Sequence, residues 1–502
     1  MKNTACSPAL LVSMVTLSGV VLLRAQGNLT PPGPPGPTMK TLDQIEPRTP
    51  IAALPYTITS AGSYYLTTNL TGLAGNVGII IVAENVTLDL NGFALIGVAG
   101  SSHGISAGAN HLTIRNGTVR NWGGHGLSLT NGLNCRLSDL RVAQNGLAGI
   151  KAGAGTLIES CSAEGNSTDG IAAASGSTVR NCTAIENNGN GFSCADGCNI
   201  IDCTAQANSS GIRAASGCRI SGCTVFESAG VGINAVFDAN ISDCVARSSG
   251  SHGISVGDWG VVRGCEATFN TGRGISAASG VQMIDCTAQN NQLDGINCGT
   301  DSRVNGCIAR QNADHGIVTG DRALIGNCAA ESNQGRGISG GGALAIRASQ
   351  TANNSEGGIF AGAVAHVSDC QAQGNGQTGI SVGGGSAVNN CSSQGNGGDG
   401  IFVTAECKVT GNNAHSNTSV LFSAGIHASG NKNLIRDNTL TSNDRGISLD
   451  GDGNVVVLNL LGNNSLAYFI ASGTSQLRGP AISPPNDPIA STSPWANFEL
   501  SP

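Results

Sequence analysis

The stretch "DGIAAASGSTVRNCTAIENNG", Asp169 to Gly189, decides the fold. It carries three short apolar stripes separated by Gly, Ser and Asn. Ile171 and Ala173, two residues apart, fall on one face of a strand, Val179 marks a second strand and Ala184 a third. No apolar period of a helix runs through it. The same unit returns along most of the chain. A Gly followed by an aliphatic residue or Phe stands at Gly149, Gly170, Gly191, Gly211, Gly232, Gly253, Gly274, Gly295, Gly316, Gly337, Gly358, Gly379 and Gly400, in steps of 21 with one of 20. Looser copies extend the series to Gly78, Gly104 and Gly126 on one side and to Gly425 and Gly446 on the other.

Strand-sized segments with inward residues two apart, at a fixed long period, describe a coil that stacks on copies of itself. The second slot stays aliphatic or Met from Ile158 through Met283 to Val409, and the third is mostly Ala. An α-solenoid of similar period fails because Gly breaks every unit. The expected fold is all-β, a right-handed parallel β-helix of about 18 coils, mostly 21 residues each. Two polar columns keep the same register. Eleven cysteines, from Cys161 to Cys391, recur at the coil period, with Ser349 filling one gap and Asn412, Asn438 and Asn459 continuing the slot. Five residues on runs an asparagine column that includes Asn145, Asn166, Asn187, Asn396 and Asn417. Stacked amides can hydrogen-bond along the axis. The thiols read as small buried corner residues rather than as a disulfide or zinc framework, although Cys198 and Cys218 are near enough in register to bridge.

Composition agrees. There are 74 glycines, aromatics make up 3 % and charged residues 11 %, and the net charge of −7 is spread without a basic block. Nucleic acid and anionic membranes are therefore poor partners. Lys2, the apolar run Ala9 to Leu23 and Ala25 read as a signal peptide over residues 1–25. No later stretch is apolar enough to span a bilayer. A Pro-rich linker is expected over 26–50, the β-helix over 51–464, and a tail over 465–502 that packs on the body through Trp495 and Phe498 or stays outside it.

The pattern resembles the pectin-lyase-like superfamily, specifically its secreted bacterial parallel β-helix repeat proteins. The resemblance covers about Pro55 to Asn464, with an opening coil "NVTLDLNGFALIG" (Asn85 to Gly97) and closing coils "NKNLIRDNTLTSNDRGISL" (Asn431 to Leu449). It implies a fold and leaves the reaction open, since members include pectate lyases, polygalacturonases, epimerases and proteins without known activity. "SHGISVG", Ser251 to Gly257, is close to the active-site phrase of the polygalacturonases. However, the slot before Gly-Ile also holds His103, His125, Asp169, Asn190 and Val231, so His252 reads as a variable position of the repeat.

One window gathers charge of both signs. Asp294, Asp314 and His315 are the candidate catalytic residues, and Arg273 and Arg336 the candidate binding residues, together with the outward Phe360 and Phe402. Two carboxylates and an imidazole suit glycosidic cleavage, and arginines suit uronate binding. The plainer account is a solvated column of alternating charges in weak surface pairs. No metal is expected, and no cofactor; calcium is admitted only without an evident site. Coils almost without insertions favour a surface over a pocket. The leading expectation is a secreted or cell-surface protein that presents a polar face to a polysaccharide or cell-surface glycan without catalysis. The alternative is a polysaccharide lyase or glycoside hydrolase acting on uronate-containing glycans.

Overall fold

A computed structural model describes residues 46–418, 422–482 and 493–500. The segment expected to be a signal peptide, and all but the last residues of the expected linker, lie outside these. Within Arg48–Pro502, three parallel ladders follow one another around each coil. The unit Asp169 to Gly189 supplies one strand to each: Ile171–Ala173 to the first ladder, Thr178–Arg180 to the second and Thr183–Ile185 to the third. Every strand pairs in parallel with its copy one coil away. Ile171 faces Phe192, Val179 faces Ile200 and Ala184 faces Ala205.

The side chains alternate as the spacing requires. Ile171 and Ala173 point inward and Ala172 outward; Val179 and Ala184 are fully buried. Burying an Ile or Val side chain contributes about 1.5–3 kcal/mol, and each coil repeats that contribution. Among the described residues the first ladder has 20 strands, two more than the Gly series counts. Its end strands, Tyr56–Ile58 and Leu466–Ile470, pair normally but carry Pro55 and Ala467 where the others carry Gly. The chain also returns at its end. Asn497–Leu500 pairs in parallel with Leu460–Gly462, aligning Phe498 with Leu460, while Trp495 remains half-exposed.

The Gly column is fixed by close approach rather than by left-handed backbone. A Cβ on Gly274 would meet Asn291 Nδ2 and Gly295 O, each at 2.6 Å. That clearance lets the asparagine column run beside it. Asn312 Nδ2 donates to Asn333 Oδ1 at 2.9 Å and to the Ala288 carbonyl at 3.1 Å, and the Asn312 N–H donates to the same Asn333 oxygen. The cysteine column ends the same way, since Asn459 Nδ2 donates to Asn497 Oδ1 in the returning strand. All described cysteines are buried and free, Cys198 and Cys218 included.

Candidate functional site

The middle residue of each first-ladder strand points outward, and together these residues form a lane along the helix. Ser255, Ser276, Asn297, Val318 and Ser339 make its centre small and half-buried. Farther on it carries Phe360, Ser381, Phe402, His427, Ser448 and Phe469. Beside the lane runs the column that precedes Gly-Ile, with Arg273, Asp294, His315 and Arg336 on successive coils.

This column does not act as one cluster. Asp294, 6 % exposed, commits Oδ2 to Arg273 Nε at 3.0 Å and to Asn297 Nδ2 at 3.3 Å. Arg336 turns the other way, with Nε 3.7 Å from Glu356 and its guanidinium 4.3 Å above the Phe360 ring. His315 Nδ1 accepts the Arg336 backbone N–H at 2.8 Å. A nitrogen that accepts this bond carries no proton, so the 3.6 Å approach of Asp314 Oδ1 to it is a contact and not an ion pair. Phe360 and Phe402 both stand half-buried in the outward lane.

The same backbone bond explains the recurrent histidines. His252 Nδ1 accepts the Arg273 N–H at 3.0 Å, His103 Nδ1 that of His125 at 2.9 Å, and His125 Nδ1 that of Ala148 at 3.1 Å. Asp169 does the same for Asn190 at 2.8 Å. Burial, reinforced by the Arg273 charge, holds His252 below the ordinary imidazole value. His252 therefore has a structural task that any short acceptor can perform.

A third arrangement was not singled out from the sequence. His427, in the outward lane, has Nδ1 2.9 Å from Asp399 Oδ2 and Nε2 2.8 Å from Asp450 Oδ2. Its ring meets Phe402 edge-on, with centroids 5.1 Å apart. Asp399 also accepts the Ala424 N–H at 2.7 Å through Oδ1, which fixes its carboxylate. Burial disfavours charge on His427, but hydrogen bonds and charge from Asp399 and Asp450 outweigh it and raise the imidazole above its usual value. One coil on, Arg445 rests 3.8 Å over Phe469 and 5.4 Å from Phe422. The signal lay in the long coil from Gly400 to Gly425, which interrupts an otherwise 21-residue run, and in an imidazole occupying a slot filled most often by Ser. Among the described residues no group of three His, Cys, Asp or Glu is arranged to hold a metal ion, and no helix is long and apolar enough to cross a membrane.

An uninterrupted parallel coil with one open, decorated face is a β-helix repeat protein of the pectin-lyase-like kind. The family model described as right handed beta helix region matches residues 77–225, 211–355 and 357–479, and the chain belongs to that family. No curated protein matches it in sequence. Among solved structures, a mannuronan C-5 epimerase A-module of Azotobacter vinelandii is 12 % identical, with 90 % of this chain and 89 % of that one covered and a TM-score of 0.20. A periplasmic alginate epimerase is 11 % identical over 86 % of this chain and 78 % of its own, with a TM-score of 0.29. The Dettilon tailspike protein is 14 % identical over 85 % and 60 %, with a TM-score of 0.19.

Proposed function

We propose that the protein binds an acidic polysaccharide along the outward lane of the first ladder, from Arg273 to Phe469, outside the cell or at its surface. The observation that carries this reading is the pair of arginines resting on outward rings, Arg336 over Phe360 and Arg445 over Phe469. A guanidinium stacked on a ring has already lost much of its freedom, so little more is lost when it takes a carboxylate bidentately. Phe402 stands between the two arginines, offering an apolar surface, and His427 meets its ring edge-on. Coils rise by about 4.8 Å, so Phe360 and Phe402, two coils apart, repeat on the scale of a sugar chain. Arg273, Asp294, Asp314 and His315 border the same lane and would meet the chain's hydroxyls and carboxylates. Export rests on the apolar run Ala9 to Leu23 behind Lys2. Binding is proposed to need no metal, so a chelator should leave affinity unchanged.

The imidazole held between Asp399 and Asp450 favours a second reading, a lyase or hydrolase acting on the same uronate-containing chains, because a positioned imidazole is the usual general acid or base. An acidic-glycan array followed by product analysis separates the two. Binding without new chain ends supports the first, new ends abolished by His427→Gln support the second, and no binding to any acidic glycan overturns both.

A further inference from the structure

The first ladder also carries a hollow far from the arginine–aromatic pairs. Lys151, Ala172, Ser193 and Arg213 occupy the outward slot of four successive coils. The two small residues lower the floor between the two long cations and leave a space of about 330 Å³, with Val236 at one end. Lys151 and Arg213 have no ion-pair partner among the described residues. Asp169 accepts the Asn190 N–H at 2.8 Å and Asp196 the Ser216 N–H at 3.0 Å, and neither carboxylate pairs with Lys151 or Arg213. The positive field reaches His103 and His125, since burial and the Lys151 charge hold both below the ordinary imidazole value, with His103 adding to the effect on His125.

We infer that the hollow between Lys151 and Arg213 is a separate subsite for a short acidic oligosaccharide segment. The floor is largely apolar, which suits the C–H face of a sugar ring, and the anionic groups are taken at the two ends. Three coil steps separate the cations at Cα level, about 14 Å at about 4.8 Å per coil. That span fits a segment of three rings whose outer carboxylates reach Lys151 and Arg213. Ten coil steps lie between Ser193 and Phe402, so a long chain can engage the hollow and the arginine–aromatic lane together, with a gain in avidity but no new contact. The class of ligand, but not the existence of the subsite, rests on the function proposed above.

The test is calorimetric titration of the intact protein with a linear hexuronate trisaccharide, its neutral counterpart and inorganic sulfate. Lys151→Gln/Arg213→Gln is expected to weaken trisaccharide binding by about tenfold or more, as loss of two charge-assisted contacts predicts, and to flatten its salt dependence. Arg336→Gln/Arg445→Gln is expected to weaken binding of a long polymer. Unchanged trisaccharide affinity in the first variant, or no binding by the wild type, overturns the subsite even if polymer binding persists. Competition by sulfate equal to that of the trisaccharide also overturns it. Polymer binding insensitive to Arg336 and Arg445 but lost with Lys151 and Arg213 removes the proposed lane and leaves the subsite standing. Both pairs are surface substitutions, and an unchanged circular dichroism spectrum and melting curve confirm folding.

Discussion

His427 Nδ1 lies 2.9 Å from Asp399 Oδ2, and its other ring nitrogen 2.8 Å from Asp450, so one imidazole ties three successive coils beside the long coil from Gly400 to Gly425. Burial opposes the charged ring, but the two carboxylates prevail and the folded protein keeps the proton to higher pH than the unfolded chain does. A raised folded value gives stability that is complete below the unfolded value near 6.5 and lost as pH rises through the folded one. We therefore expect His427→Gln to destabilise the protein most below that value and progressively less as pH rises above it. Hydrogen exchange of the strands around Ile426 and Ile447 should show the same trend, because solenoid coils respond locally. A stability difference between wild type and variant that stays flat with pH would remove the charged clamp.

The asparagine column has one flaw, and the flaw predicts a gain. Ser228 and Ser249 interrupt it between Asn208 and Asn270, and neither hydroxyl has a hydrogen-bond partner. The double substitution Ser228→Asn/Ser249→Asn should join the two runs. A buried hydrogen bond contributes about 0.5–1.5 kcal/mol net, so a gain of about 1–3 kcal/mol in urea denaturation is expected. Asn312→Ala should do the reverse, since Asn291 donates to Asn312 through both its N–H and its amide. Each orphaned buried group costs about 1–3 kcal/mol.

The cysteine column should tolerate polarity but not bulk. Cys244 is fully buried and its thiol contacts the Ser242 carbonyl at 3.1 Å. Ser349, in the same column, donates to the Arg347 carbonyl at 2.9 Å. Cys244→Ser should therefore cost little, and Cys244→Leu about 1–3 kcal/mol by overfilling the corner. Outside this column, at the inward end of a first-ladder strand, burial pushes the thiol of Cys298 up to about 12, so Cys298 should resist alkylation until urea unfolds the protein. Identical melting of the Ser and Leu variants would show that the corner is not packed.

The period made the inward residues legible, because a 21-residue step places Ile158, Val179 and Ile200 on one line whatever lies between them. It also placed Asp294 beside Arg273. It could not say which way a long side chain leans, and Arg336 leans towards Phe360 and Glu356 rather than Asp314. Nor could it reach Asp399, His427 and Asp450, which occupy three different slots of the coil, with the long coil from Gly400 to Gly425 also separating the first two. Pro55 and Ala467 hid the two end strands; at Ala467 no further first-ladder strand follows to supply the contacts that enforce Gly elsewhere, as Asn291 and Gly295 do at Gly274.

His252 stands in the phrase "SHGISVG", Ser251 to Gly257. His252 Nδ1 accepts the Arg273 N–H, and Asp169 gives Asn190 the same service with a carboxylate oxygen. If that is its whole task, His252→Ala should cost about 1 kcal/mol, the net value of one hydrogen bond, and His252→Asp should restore it. Arg273 would then keep its 3.0 Å contact with Asp294, so glycan affinity should not change in either variant. Thermal denaturation and glycan titration of the two variants test both halves. A loss of affinity beyond about tenfold, roughly 1.4 kcal/mol, without a matching loss of stability would assign His252 to ligand instead of backbone.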